Sequence, residues 1–364
     1  LGGLVGQQLA DNPAWVTLPV SLFGLGLAIG TLPAAFVMRA WGRRGGYLFG
    51  ALFGVAAGLI AALGIFATSF LLFCVGCFTA GLYGSYVQSY RFAAADAAEG
   101  ALKARAISEV MVGGLIAAVI GPQLVIWTRD SFPSTPYVGS FLSQAALPLL
   151  SIPILLMLRT LKSASQSALE SSGRSLMEIL LMPRYMLAVA AGVVSYGLMA
   201  FVMTASPIAM VNTGHSVDSA ALGIQWHLLA MFAPSFVTGR LMTRFGKERV
   251  TAAGMLLIAV SAVVALAGLE LINFWGSLAI MGIGWNFSFI GATAMVTDCH
   301  APGERAKAQG ANDFMVFGAT AAVSFLAGSV LHSSGWATIN WLLFPPVALI
   351  LVPLLWQAAR KPQD

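Results

Sequence analysis

A chain of 364 residues that is 58% hydrophobic and only 9% charged cannot cover the surface of a water-soluble domain, which needs about a quarter of its residues charged. Its net charge of +5 comes without any basic patch interleaved with aromatics, so nucleic acid is excluded as a partner. The composition suits a lipid bilayer, which one helix crosses with about 20 apolar residues.

In chain order, Leu1 to Leu9 reads as the outer end of a helix whose beginning is missing. Eleven full spans follow, at 13–38, 46–66, 69–91, 106–127, 137–158, 184–210, 219–242, 250–270, 273–297, 308–331 and 337–358. Two uncharged stretches hold two spans each, divided near Thr68-Ser69 and near Ser333-Ser334-Gly335. Period-2 alternation is absent, so the expected class is an all-α integral membrane protein and not a barrel.

Every second loop (39–44, 91–105, 159–184, 240–249, 305–307 and the tail 360–361) carries the basic residues, 18 of the 19 Lys and Arg. Only Arg129 lies opposite. That bias marks the loaded side, with the C-terminus, as cytoplasmic. Residue 1 then falls outside, and twelve spans are expected of the intact protein, one of them largely missing here.

The charges also repeat. Asp96 and Asp298, 202 residues apart, are each followed seven residues later by a basic cassette, Lys103-Ala104-Arg105-Ala106 and Arg305-Ala306-Lys307-Ala308. Trp41-Gly42-Arg43-Arg44 and Phe245-Gly246-Lys247-Glu248 repeat at 204. Internal duplication follows. Six spans return the chain to its starting side, so both copies share one orientation. The expected domains are a first six-helix bundle at 1–158, a Ser-rich cytoplasmic linker at 159–183 and a second bundle at 184–364.

These features resemble the major facilitator superfamily, in its bacterial permease branch. That family's loop signature, G-x-L-x-D-R-x-G-R-R/K, is matched by Gly239-Arg240-Leu241 and Arg244-Phe245-Gly246-Lys247, with Thr243 where Asp is expected. In the first half Gly42-Arg43-Arg44 is intact, while Ala35 and Arg39 replace the leading Gly and the Asp. The family's antiporter motif is half present: Gly121-Pro122 fits, but Val125-Ile126 replaces its closing glycines. The resemblance implies two bundles in pseudo-twofold parallel repeat, acting as a monomeric secondary transporter in the bacterial inner membrane. It further implies alternating access, a small organic solute, coupling to protons and no cofactor.

Position assigns a cytoplasmic gate to Arg43, Arg44, Arg91, Asp96, Glu109, Arg244 and Asp313; the plain alternative is charges that only fix topology. The central cavity of the family places substrate-binding candidates at Tyr83, Tyr86, Tyr196, Gln225, Trp226, Trp285 and Asn286. Tyr83, Tyr86 and Tyr90 share one helical face, and Tyr83 and Trp285 stand 202 apart. Aromatic and amide side chains favour a flat, partly polar solute; the plain alternative is helix packing. Both a vitamin such as a flavin and drug-like efflux fit. His227 titrates in the physiological range and is the proton-coupling candidate, against a neutral His bonded to a carbonyl.

Gly50, Gly54 and Gly58 form a small-residue ridge read as packing. Cys74 and Cys77 lack the further ligands a metal site needs. No cluster suits an enzyme, no phosphate loop suits a pump, and no appended domain suits a sensor.

Overall fold

A computed structural model of the chain describes residues 1–90, 102–158 and 173–359, without the side chains of 35, 39, 102–112, 302, 305 and 306. All regular structure among the described residues is helical. Eight helices there are long and apolar enough to cross a membrane, or nine when a bent pair is taken as one span. The shorter apolar helix Gly113–Thr128 and the division of Lys307–Ala359 at Gly335 account for the rest of the expected spans. The chain is a multi-pass membrane protein.

Two compact units emerge, Leu1–Gln166 with Ser324–Ser329, and Ser167–Val323 with Val330–Asp364. The first unit contains α1 (Gly2–Leu9), α2 (Leu18–Phe66), α3 (Phe70–Gln88), α4 (Leu102–Thr128) and α5 (Val138–Met157). α2 is two helices joined at Gly42, whose φ of 72° an L side chain rarely adopts. The small-residue ridge does what its spacing suggests. Gly50 receives the ring of Tyr86, Gly54 receives Tyr83 and Pro148, and Gly58 lies against Phe141 and Ala145 of α5. Thr17 is fully buried in this unit; its hydroxyl donates to the Phe325 carbonyl at 2.9 Å and accepts the Gly328 N–H at 3.2 Å.

The second unit contains α6 (Leu176–Leu180), α7 (Pro183–Asn212), α8 (Val217–Phe232), α9 (Ser235–Phe245), α10 (Lys247–Leu266), α11 (Leu271–Thr297), α12 (Arg305–Trp341) apart from Ser324–Ser329, and α13 (Phe344–Ala359). Ser175 starts α6 with a capping box: its hydroxyl accepts the Glu178 N–H while Glu178 accepts the Ser175 N–H. Pro183 opens α7, where a missing N–H costs nothing. Gly246 separates α9 from α10 at φ 88°, so the two duplicated loops turn on glycines of the same backbone hand, 204 residues apart.

α8 and α9, together long and apolar enough for one span, are bent by 41° at Ala233-Pro234. Proline removes the N–H that would continue the ladder, which explains the break. Where α10 crosses α11, a Cβ on Gly254 would collide with the backbone of Gly284 and Ser288, so the two helices meet main chain to main chain.

Candidate substrate site and cytoplasmic charge network

Helix rotation sorts the aromatic candidates. In the first unit Tyr86 is 3% exposed, stacks on Phe53 at 6.5 Å and meets Phe49 edge-on at 6.4 Å. Tyr90 sits edge-on to Tyr47 at 4.7 Å. The tyrosine stripe of α3 therefore turns toward the glycine ridge of α2 and toward α5. Tyr86, an expected solute contact, is placed by the structure against Phe53, Phe49 and Gly50. Tyr83 remains half-buried beside it.

The second unit assembles an aromatic box. Tyr196 of α7 meets Trp285 at 5.6 Å and 71°, Phe289 at 5.1 Å and 70°, and Phe317 of α12 at 5.5 Å and 85°. Trp285 and Phe289, one turn apart on α11, stack at 5.0 Å and 20°. Tyr196 and Phe289 are half-buried, whereas Trp285 and Phe317 are 8% and 7% exposed. The Trp285 Nε1–H is buried without a hydrogen-bond partner among the described residues. Each such ring pair contributes about 0.5–1.5 kcal/mol beyond its buried area. Phe289 and Phe317 escaped the sequence reading because phenylalanine is unremarkable in an apolar helix; the i, i+4 spacing from Trp285 was the available signal.

Asn286 stands next to the box in sequence but points elsewhere. It is fully buried, and its Nδ2 donates to the Met231 carbonyl at 2.6 Å and to Ser235 Oγ at 2.7 Å. Thr238 Oγ1 donates to its Oδ1 at 2.5 Å. Those partners flank Ala233-Pro234, so Asn286 staples the bend between α8 and α9, and its amide is fully used within the protein. Asn286, expected as a solute ligand, is thus placed at a helix bend.

His227 is fully buried on α8, with Nδ1 2.7 Å from the Leu278 carbonyl of α11. A carbonyl only accepts, so Nδ1 carries the proton and Nε2 is a buried acceptor without a partner. Gly282 packs directly on the His227 carbonyl. On the same helix Gln225 is half-buried and Trp226 is 49% exposed, and the ring contacts of the box come from α7, α11 and α12 instead.

At the basic ends of the helices a charge network closes. Lys247 Nζ bonds Asp298 Oδ1 at 2.6 Å and the Ala294 carbonyl at 3.2 Å. Arg184 reaches Glu248 at 3.1 Å and Asp298 at 3.5 Å. Arg244, the expected gate residue, is exposed and lies over its neighbour Phe245 at 5.2 Å. The turn at Gly246 hands the Asp298 contact to Lys247 instead. Asp313 accepts from Asn312 Nδ2 at 3.0 Å. Arg43 and Arg44 are half-buried directly after the Gly42 turn. Arg91 and Asp96 lie outside the described residues, as does the side chain of Glu109.

A second clamp holds the linker's end. Arg174 donates through its backbone N–H, Nε and Nη2 to Glu304 at 2.8, 2.9 and 2.7 Å, and through Nη2 to the Cys299 carbonyl at 3.0 Å. The Arg174 hydrogen bonds, and then the Ala301 N–H, push the Glu304 carboxyl from 4.5 down to about 2. A folded value below the unfolded one gives stability that is complete above about pH 4.5 and fades as pH falls toward about 2. Glu304→Gln should therefore lower the melting temperature at neutral pH. Its gap to the wild type should close between about pH 4.5 and 2 in a thermal-shift series. A gap that is constant across that window contradicts the clamp.

Comparison with known proteins fits this architecture. The family model described as Major Facilitator Superfamily matches residues 187–364. The riboflavin transporter RfnT of Brucella anthropi is 69% identical over 362 residues, covering 99% of this chain and 91% of that protein. The uncharacterized MFS-type transporter YdeG of Bacillus subtilis is 30% identical over 381 residues, covering 99% of this chain and 87% of that protein. The chain belongs to the Major Facilitator Superfamily. The nucleoside transporter NupG superposes with a TM-score of 0.72 at 15% identity, covering 99% of this chain and 95% of that one. The xylose transporter XylE of E. coli gives 0.70 at 16%, covering 100% and 94%. At those identities the likeness speaks for the fold alone.

As a member of the Major Facilitator Superfamily the protein is a secondary transporter of a small solute and not an enzyme. Arg184, Glu248, Lys247 and Asp298 are the charged residues that the sequence reading did not assign to its gate. Asp298 and Lys247 stood in the duplicated cassettes, so the repeat itself was the signal. Arg184, at the end of a linker rich in charge, carried none.

Proposed function

We propose that this protein carries riboflavin, or a flavin of the same ring system, into the cell across the bacterial inner membrane, with its C-terminus in the cytoplasm. The observation that carries the reading is the 69% identity to RfnT along 362 residues. The box of Tyr196, Trp285, Phe289 and Phe317 supports it, because an isoalloxazine is a broad flat ring system that gains from stacking. Alternating access of two bundles and the proton gradient as driving force enter from the superfamily resemblance. For His227 we favour a helix-pinning role. Protonating Nε2 would place a charge in a fully buried site at a packed helix crossing.

The test is growth. A riboflavin-auxotrophic bacterium without a flavin carrier should grow at low micromolar riboflavin once it expresses the full-length protein, and a protonophore should abolish the accompanying uptake. Failure to grow, with the protein present in the membrane, contradicts the flavin reading. Uptake that persists with the protonophore removes the proton gradient from it.

A further inference from the structure

Resting on the flavin reading, we propose that Trp285 is the specificity donor of the aromatic box: its indole N–H reads a ring acceptor at the edge of the solute, while Tyr196 supplies the stacking plate. Three observations lead there. One face of Trp285 is already covered by Phe289, stacked at 5.0 Å and 20°. Its Nε1 is buried with no partner among the described residues, which carries a standing cost unless something accepts from it. Tyr196 stands at 71° to Trp285 and at 70° to Phe289.

An indole N–H lies in the plane of its own ring. A flat solute stacked on Trp285 would sit above that plane, out of line with the N–H bond. A solute lying parallel to Tyr196 would instead stand steeply across the Trp285 plane, and an N–H running along the line where the two planes cross can reach an acceptor on the solute's rim. The solute must then carry an acceptor on its rim, a ring carbonyl or an imine-type nitrogen, as an isoalloxazine does at its pyrimidine end. A flat hydrocarbon of equal size leaves the donor buried and unpaired and is rejected on that account.

Riboflavin affinity of the purified full-length protein separates the two roles. Trp285→Phe keeps an aromatic ring and removes the N–H; replacing Trp285 by benzothienylalanine keeps the bicyclic shape and puts sulfur where the N–H was. Both should bind riboflavin about tenfold more weakly, a change of about 1.4 kcal/mol. Unchanged melting temperatures in the absence of riboflavin would show that both remain folded. If both bind within twofold of the wild type while Trp285→Ala binds poorly, Trp285 is itself the plate and the proposal is overturned. Wild-type protein that binds no riboflavin overturns the functional reading, and this inference with it.

Discussion

Asn286→Ala should be among the most destabilising single substitutions in the second unit. It strips the Met231 carbonyl, Ser235 and Thr238 of a shared partner in a fully buried site. An unmade buried hydrogen bond costs about 1–3 kcal/mol, and interhelical bonds inside membranes run at the low end of that range. The sum expected is about 2–4 kcal/mol, or roughly 5–15 °C in the melting temperature of a unit this size. Ser235→Ala and Thr238→Val each remove one arm of the staple and should cost less than half as much. The check is thermal unfolding of the detergent-purified variants at one pH. A shift below about 2 °C for Asn286→Ala would mean that the bend at Ala233-Pro234 holds without it.

Tyr196→Ala should cut riboflavin transport by about 100-fold or more at equal expression. Tyr196 is the ring that touches all three other members of the box, across α7, α11 and α12. Loss of a stacked ring from a buried ligand contact is worth about 1–3 kcal/mol by itself. The collapse of Trp285, Phe289 and Phe317 into the space left behind adds to it. Tyr196→Phe keeps the plate and should retain most transport. Labelled riboflavin uptake in cells measures both, and equal uptake by Tyr196→Ala and the wild type would remove the box from the transport route.

The parts of this molecule that were legible beforehand are those written in loops. Gly42 and Gly246, with basic residues directly after each, mark two similar turns because a positive φ favours glycine. The long uncharged stretches between the loops gave the spans. Helix rotation was the illegible part. In water one apolar stripe faces the core, but a bilayer helix is apolar all round, so its period does not say which neighbour a face meets.

Tyr86 and Trp285 show the consequence. Each lies inside an apolar helix with small residues one or two turns away. Gly50, on the partner helix, admits the Tyr86 ring and turns that stripe toward α2. Gly254 meets α11 at Gly284 and Ser288, on either side of Trp285, and leaves the indole facing Tyr196. Polar residues are hard to place from sequence for a related reason. Asn286 looked like a ligand because an amide in a membrane needs a partner, and the partner proved to be a broken helix whose proline, Pro234, lay 52 residues earlier in the chain.

Counterflow tests the flavin account most directly, since it needs neither a known driving force nor a known direction. Proteoliposomes containing the full-length protein and loaded with unlabelled riboflavin should transiently concentrate external labelled riboflavin above its equilibrium level. Vesicles carrying Tyr196→Ala should not. Flat traces from folded, inserted wild-type protein would contradict the claim that this chain carries flavins.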